Sequence, residues 1–328
     1  MEYTRLGRTG LQVSRLCLGT MTFGLQCDEE TSRAILDTAF DSGITFIDTA
    51  DVYPLGGNLD TVGRTEEIVG GWLAGRRDDV VLATKCVGPT GRRPWDRGAS
   101  RRHILDALDA SLRRLGTDYV DLYQLHGYDP ETPIDESISA LDHLVKAGKV
   151  RYVGCSNFLA YQLARAIGRA ETLGLARMDC VQPRYNLLFR QVERELLPLC
   201  GEEGIGVIPY NPIAGGLLSG KHRRDAVPEG RFTLGRAGKM YQERYWHDRE
   251  FDTVEDLLAI AGKAGVALTT LAVQWVLAHP AVTSAIIGAS DPGQLSASLA
   301  AAESPISPEL KFELDELTGV YRQGDAPR

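Results

Sequence analysis

The sequence predicts a closed (β/α)8 barrel, and three observations support this prediction. Short apolar runs alternate with longer amphipathic stretches along the 328 residues, which is typical of parallel strands joined by helices. Eight such units fit into about 300 residues, a usual length for the barrel. The first run leads into residues 19–24, GTMTFG, which lack the Gly-x-Gly-x-x-Gly spacing of the alternative, an open dinucleotide-binding sheet.

The predicted elements follow one another in a regular order, and we expect one domain over residues 1–328. Strands are predicted at 15–19, 45–49, 80–85, 119–126, 150–156, 179–184, 206–210 and 284–288. Helices are predicted near 29–42, 65–75, 100–115, 135–147, 160–173, 191–203, 252–278 and 292–301. Ser100 is a typical N-cap, and Gly116 and Gly174 follow helix ends, where glycine is favoured.

Two segments fall outside this repeat. Residues 2–14 are predicted to form a hairpin with a glycine-bearing turn, which would cover the bottom of the barrel. Residues 213–250 form a long connection after the seventh strand, rich in Gly, Arg and aromatic residues. A connection of that length in a compact domain is usually functional or disordered.

Composition and charge disfavour several classes of function. The net charge of −8 argues against nucleic acid or an anionic membrane as a partner. No apolar run approaches the roughly 20 residues that span a bilayer, and the first residues lack a signal core. The six cysteines are scattered without Cys-x-x-Cys pairs, which is typical of buried thiols in a reducing compartment. We therefore expect a cytoplasmic protein with a small-molecule partner; a homo-oligomer is compatible with the sequence.

Four polar side chains lie at or just after the ends of predicted strands: Asp48, Lys85 and His126 end strands, and Tyr53 lies on the loop five residues after Asp48 (the tetrad). In a barrel, these strand ends meet at one mouth. A phenol has a pKa near 10, and a neighbouring Lys85 would lower it and ease proton donation. Asp48 would hold the lysine charged, and His126 would position a carbonyl. Each residue alone is also typical of a cap, a solvated charge or a packed ring.

The sequence offers no primed nucleophile and no metal site. No Ser or Cys lies in a Gly-x-Ser-x-Gly elbow, and no His-Glu-x-x-His or clustered ligands suggest a metal. Together the four side chains therefore predict a site that donates a proton and needs an external reductant.

Further motifs extend this pattern along almost the whole chain. They are residues 43–53 (GITFIDTADVY), 82–85 (LATK), 121–126 (DLYQLH), 154–158 (GCSNF), 181–182 (VQ), 210–221 (YNPIAGGLLSGK) and 287–290 (IGAS). With these motifs the chain resembles the aldo-keto reductase family, and within it the bacterial branch near the potassium-channel β-subunits. The resemblance implies a barrel that binds NADPH in extended form and reduces an aldehyde or ketone to an alcohol. It also implies that Tyr53 is the general acid.

The resemblance further implies a set of cofactor contacts, ordered from the nicotinamide to the adenine. Gly19, Thr20 and Met21 would border the nicotinamide ribose, and Asp48 would also contact the cofactor. Ser156, Asn157 and Gln182 would hold the carboxamide, and Tyr210 would stack on the nicotinamide ring. The motif that follows adds Asn211, Pro212, Ile213 and Gly215. Lys221 and Arg231 would contact the phosphates. Gly288, Ser290, Gln294 and Ser298 would hold the adenosine 2′-phosphate end at the start of the last helix.

The chain departs from the family pattern in two places. Ala297 and Ser298 stand where the pattern has Glu and Asn, so we expect weaker adenine contacts and a less strict preference for NADPH over NADH. The loop at residues 54–64 is longer than usual and would lie beside the substrate. A separate basic stretch follows Lys85; it would either meet an anionic or ring-shaped substrate or be an exposed loop, and it contains Arg92, Arg93, Trp95 and Arg97.

Three functions remain in contention. The first is NADPH-dependent reduction of an aldehyde or ketone. The second is a regulatory, NADPH-binding β-subunit-like protein with slow residual activity, which the complete tetrad disfavours because a pure binding module has no need of it. The third is a keto or enoyl reduction on a nucleotide-linked deoxysugar, suggested by the basic stretch at residues 92–97. The sequence does not identify the substrate.

Overall fold

The computed structural model describes residues 1–323, apart from the side chain of Arg236. Its strands are β1 (Tyr3–Arg5), β2 (Gln12–Ser14), β3 (Leu16–Gly19), β4 (Phe46–Asp48), β5 (Val81–Cys86), β6 (Val120–Leu125), β7 (Val150–Ser156), β8 (Cys180–Gln182), β9 (Gly206–Val207) and β10 (Ala285–Ile287). The last eight form one parallel sheet in the order β10-β3-β4-β5-β6-β7-β8-β9. Parallel bridges join Val207 to Val282 and Tyr210 to Ile286, which brings the last two strands together and closes the sheet. The predicted barrel is confirmed.

Helices connect the strands and surround the sheet. They are α1 (Glu29–Asp41), α2 (Arg64–Leu73), α3 (Arg101–Leu115), α4 (Ile134–Lys146), α5 (Ala160–Leu173), α6 (Leu196–Glu203), α7 (Gly235–Tyr245), α8 (Asp248–Ala264), α9 (Leu268–Leu277), α10 (Leu295–Ala300) and α11 (Pro308–Leu317). The Ser100 hydroxyl accepts a hydrogen bond from the His103 amide at 3.3 Å, as expected of an N-cap. Gly116 and Gly174 end their helices with φ of 64° and 62°, as predicted.

The structure differs from the predicted helices in four places. The stretch at 252–278 is two helices, because Gly265 adopts a left-handed φ of 70° that ends α8. The long connection at 213–250 contains a regular helix, α7, and the chain continues past residue 301 into α11. The α10 helix has only six residues and is preceded by a 3-10 turn at Pro292–Gln294.

The N-terminal hairpin closes the bottom of the barrel, as predicted. β1 and β2 pair antiparallel, and the Leu6 and Val13 side chains are fully buried in the apolar core inside the sheet. Gly7 lies so close to the start of β9 that a Cβ atom there would be 2.4 Å from the Gly204 carbonyl oxygen. Because its φ is +55° as well, this turn requires glycine.

The cysteines form no disulfides, and the helices are those of a packed barrel. All six cysteines are buried and unpaired. Over residues 1–323, no single helix is long and apolar enough to cross a bilayer; α8 and α9 reach that length only together, and they are bent by 92° where they meet.

Candidate active site

Inside the barrel, the side chains change from apolar to polar toward the C-terminal ends of the strands. Residues two apart in a strand point to the same face, and four strands carry an apolar residue below a polar one. The pairs are Phe46 and Asp48 on β4, Ala83 and Lys85 on β5, Leu122 and Gln124 on β6, and Cys180 and Gln182 on β8. A polar layer therefore rests on the packed interior and forms the floor of the mouth.

A buried ion pair lies at the centre of this layer. The Lys85 Nζ donates to Asp48 Oδ2 at 2.5 Å and to the Thr49 carbonyl oxygen at 2.9 Å. The other oxygen of Asp48, Oδ1, accepts hydrogen bonds from the side-chain amides of Gln124 at 3.1 Å and Gln182 at 2.9 Å. Both carboxylate oxygens thus have partners, which is the condition under which a buried charge pair is tolerated.

Tyr53 lies directly above this pair. Its hydroxyl accepts a hydrogen bond from Lys85 Nζ at 3.4 Å. Burial raises the pKa of Tyr53 to about 12, more than the Lys85 ammonium lowers it. The expectation of a lowered phenol pKa is therefore wrong in net direction, because the effect of desolvation exceeds that of the neighbouring charge. Burial lowers the pKa of Lys85, but Asp48 and Tyr53 raise it by more, so the lysine remains an ammonium.

His126 faces Tyr53 from the end of β6. The two rings meet edge to face, with centroids 5.7 Å apart. Burial, and to a lesser extent the charge of Lys85, lower the pKa of His126 to about 3. The imidazole is therefore neutral at physiological pH and can hydrogen-bond a carbonyl oxygen without carrying charge.

A cavity of about 1230 Å³ opens above the polar layer. Every residue predicted for catalysis or cofactor binding lines it except Lys85, which lies beneath the floor. The charged residues among its lining are Lys221, Arg231, Arg244 and one carboxylate, Asp48, which Lys85 already neutralises. The cavity is therefore electropositive in a protein whose net charge is −8, and its size and charge fit an extended dinucleotide with phosphates.

One end of the cavity is built by polar residues after β7 and β9. Asn157 adopts a left-handed φ of 58°, which asparagine tolerates better than most residues. Its side chain donates to Ser156 Oγ and accepts from the Tyr210 hydroxyl at 2.8 Å. Ser156 in turn donates to the Gln182 carbonyl oxygen at 2.9 Å. These contacts bring the predicted carboxamide and ring contacts together beside the tetrad.

The segment after β9 forms a long wall of the cavity. Asn211, with φ of 65°, accepts a hydrogen bond from the Gly215 amide. A Cβ atom on Gly215 would lie 2.6 Å from the Tyr241 ring, so glycine allows α7 to pack closely here. Lys221 and Arg231 lie further along this wall, as the resemblance implies.

A further part of the cavity lining, which the resemblance assigns to the adenine, is made by the loop after β10. The Ser290 amide donates to Gln294 Oε1 at 3.1 Å, and Gln294 Nε2 donates to Ser290 Oγ at 3.2 Å. Asp291 caps the 3-10 turn through the Gly293 amide at 2.8 Å. Ser290, Gln294 and Ser298 do line the cavity. Ser290 precedes the 3-10 turn, Gln294 ends it, and Ser298 lies within the short helix α10, which is not the last helix.

Two loops differ in how they relate to the cavity. The long loop after Tyr53 lines it, as expected, and its Gly56 packs against Leu234 of the β9 connection. The basic stretch at residues 92–97 does not line it: its arginines and Trp95 are exposed. Of the two interpretations of residues 92–97, a substrate contact and an exposed loop, the structure supports the exposed loop.

Three residues of the site were not predicted from the sequence. The Gln124 side-chain amide donates a hydrogen bond to Asp48. A polar glutamine within the largely apolar run of β6 could have indicated this role. Tyr241 and Arg244 line the cavity from α7, in a segment interpreted only as a long connection. Among residues 1–323, no group of three or more His, Cys, Asp or Glu side chains is arranged to hold a metal ion.

Comparison with known proteins identifies the family. The model of the aldo/keto reductase family matches residues 15–318. The uncharacterized oxidoreductase YrpG of Bacillus subtilis is 41% identical over 325 residues, 97% of this chain and 96% of the relative. A probable voltage-gated potassium channel subunit beta of Arabidopsis thaliana is 38% identical over 92% of each chain. The versiconal hemiacetal acetate reductase of Aspergillus parasiticus is 34% identical over 96% of each. The chain belongs to the aldo/keto reductase family.

Proposed function

We propose that the protein is a cytoplasmic, NADPH-dependent reductase that converts an aldehyde or ketone to an alcohol, with Tyr53 as the general acid. The observation that carries this proposal is the stack of Asp48, Lys85 and Tyr53 at the floor of one large cavity. The phenolic oxygen lies 3.4 Å from an ammonium that is itself held at 2.5 Å by a carboxylate. Relatives named as oxidoreductases or reductases support the same reaction class.

The cavity residues fit a phosphorylated dinucleotide. Asn157, Ser156 and Gln182 would hold its carboxamide end, and Lys221 and Arg231 would bind its phosphates through charge-assisted hydrogen bonds. Ser290 and Gln294 would hold the 2′-phosphate. When bound, NADPH supplies the hydride.

The protein's own contribution is the proton. As the carbonyl carbon is reduced, its oxygen becomes an alkoxide, and Tyr53 donates its phenolic proton to that oxygen. An alkoxide is a far stronger base than a phenolate, so the transfer is favourable even for a phenol with a pKa of about 12. Lys85 then stabilises the phenolate, and the neutral His126 orients the carbonyl oxygen.

One alternative is supported by a specific observation. The similarity to a probable potassium channel subunit beta favours a regulatory protein that binds NADPH and turns over slowly. The hypothesis of a deoxysugar reductase is no longer supported, because the basic stretch at residues 92–97, which suggested it, lies outside the cavity.

A turnover assay separates these functions. The purified protein is mixed with NADPH and a panel of aldehydes, ketones and quinones, and loss of NADPH absorbance is followed. We expect at least one carbonyl compound to give many turnovers per protein chain. If each compound gives no more than a single slow turnover, the regulatory alternative is correct instead.

A further inference from the structure

The charges that line the cavity leave one cation without an assigned role. Lys221, Arg231 and Arg244 line it, and within residues 1–323 none of the three forms a salt bridge. The phosphates of the dinucleotide account for Lys221 and Arg231. Arg244 remains, a half-buried guanidinium that faces a cavity whose sole carboxylate is already paired.

Arg244 is held in place by α7. It follows Met240 by one helical turn, so both side chains lie on one face of the helix. Its guanidinium carbon is 5.9 Å from the centroid of the buried Tyr241 ring, and that of Arg231 is 5.5 Å from the same centroid. Both guanidinium groups therefore lie near the same ring. Arg244 differs from Arg231 in its position on α7, one turn after the cavity-lining Met240.

Arg244 lies at the tetrad end of the cavity. The next residue of α7, Tyr245, accepts a hydrogen bond from Asn211 Nδ2 at 2.9 Å, and Asn211 directly follows Tyr210. Burial raises the pKa of the Tyr210 phenol and the Arg244 guanidinium opposes this rise, in agreement with that position. That phenol donates to Asn157 at 2.8 Å, and Asn157 donates to the His126 carbonyl oxygen at 3.0 Å.

A second cation near Tyr210 does not compete for this role. Arg184 stacks on Phe189, with its guanidinium carbon 3.5 Å from the ring centroid. It lines a separate cavity of about 190 Å³, whose wall Arg244 shares, and not the large one. Arg244 is thus the cation that the tetrad end presents to a bound molecule.

Part of the wall at this end is apolar. Val52, Leu55, Leu59 and Val62 come from the chain around Tyr53, and Met240 comes from α7. A molecule that fills this space would have an apolar body, with its carbonyl at Tyr53 and any negative charge at Arg244.

We propose that Arg244 binds an anionic group of the substrate, so that the preferred substrates are aldehydes or ketones with an apolar body and a carboxylate or phosphate. Arginine suits both anions because its planar guanidinium can donate two parallel hydrogen bonds. This inference rests on the proposed reductase function and adds the substrate class to it.

A matched pair of substrates tests the inference. The purified full-length chain is assayed with 4-formylbenzoate and with its methyl ester, which differ in one negative charge at a fixed distance from the aldehyde. We expect the wild type to favour the acid in kcat/KM. Arg244→Met should lower kcat/KM for the acid at least tenfold more than for the ester, mainly through KM, as expected for loss of a hydrogen bond to a charged group. Arg244→Lys should retain part of the preference.

Two controls keep the outcome unambiguous. Arg92→Met removes the same charge from the exposed stretch outside the cavity and should leave the acid-to-ester ratio unchanged. Titration of NADPH into Arg244→Met measures cofactor affinity directly. Weaker NADPH binding with an unchanged ratio would assign Arg244 to the cofactor and overturn the inference.

The failure of this inference is distinct from failure of the proposed function. Turnover of both aldehydes with no wild-type preference for the acid would overturn the role of Arg244 and leave the reductase intact. Absence of turnover across all carbonyl compounds would overturn both.

Discussion

The two ends of the cavity are built in different ways. At the tetrad end, buried side chains from four different strands hold one another: Lys85 and Asp48 are almost fully buried, and both carboxylate oxygens are hydrogen-bonded. At the proposed adenine end, the half-buried Ser290 and the exposed Gln294 bond mainly to each other on a short turn. The difference indicates that the geometry of the proposed proton donor is rigidly specified, whereas the proposed adenine contacts can change at little structural cost.

Removal of the phenol should have the largest effect. Tyr53→Phe keeps the ring beside His126 but deletes the proton donor, so we expect kcat to fall by about a thousandfold, within the usual range for loss of a general acid. Dinucleotide affinity should be almost unchanged, as measured by fluorescence titration beside steady-state kinetics. Tyr161→Phe, on the exposed face of α5, is the matched control. Wild-type turnover in Tyr53→Phe would show that another group supplies the proton.

Breaking the ion pair should affect stability as well as activity. Asp48→Asn leaves the Lys85 charge buried without a counter-charge, which typically costs about 3–5 kcal/mol. We expect the free energy of unfolding, measured by denaturant titration, to fall by that amount. The double variant Asp48→Leu with Lys85→Met removes both charges and should recover much of the loss. If Asp48→Asn is as stable as the wild type, the tetrad end is less rigidly specified than we infer.

At the adenine end the expected effects are smaller. Ser290→Ala removes a hydroxyl proposed to contact the 2′-phosphate, and one such hydrogen bond contributes about 1 kcal/mol. The dissociation constant of NADPH should therefore rise about fivefold, while that of NADH, which lacks this phosphate, stays constant. Parallel titrations with the two cofactors measure this. Equal weakening of both would place Ser290 elsewhere than at the 2′-phosphate.

A change of pH should have almost no effect on the tetrad. With its pKa lowered to about 3, His126 takes up a proton only in strong acid; with its pKa raised to about 12, Tyr53 loses its proton only in strong alkali. For an uncharged substrate, kcat/KM should therefore be flat between about pH 5 and about pH 9. A fall in activity on the alkaline side of neutrality would mean that Lys85 lowers the phenol pKa more than burial raises it.

Much of the tetrad end was predictable from the sequence. Asp48, Lys85 and His126 each end an apolar run, and the barrel brings strand ends to one mouth. The same reasoning could have found Gln124, because it lies two residues after the inward-facing Leu122 and thus on the same face. The pKa of Tyr53 could not be predicted, since its direction depends on how deeply the phenol is buried.

The other parts of the site depend on packing between distant segments. Helix α7 could not be recognised as a wall of the cavity, because Tyr241 reaches it only through its close contact with Gly215. Likewise, nothing in the composition of residues 92–97 shows that the loop points away from the mouth. The sequence shows that Ala297 and Ser298 differ from the family pattern. It does not show that Ser290 and Gln294 hydrogen-bond to each other.

The hairpin beneath the barrel has a consequence for turnover. Leu6 and Val13 fill the lower opening, and the apolar interior above them reaches up to the floor that carries Lys85. The packed interior leaves water no path to Tyr53 from below. In the proposed mechanism, Tyr53 would therefore regain its proton through the mouth of the cavity, from which the alcohol also leaves.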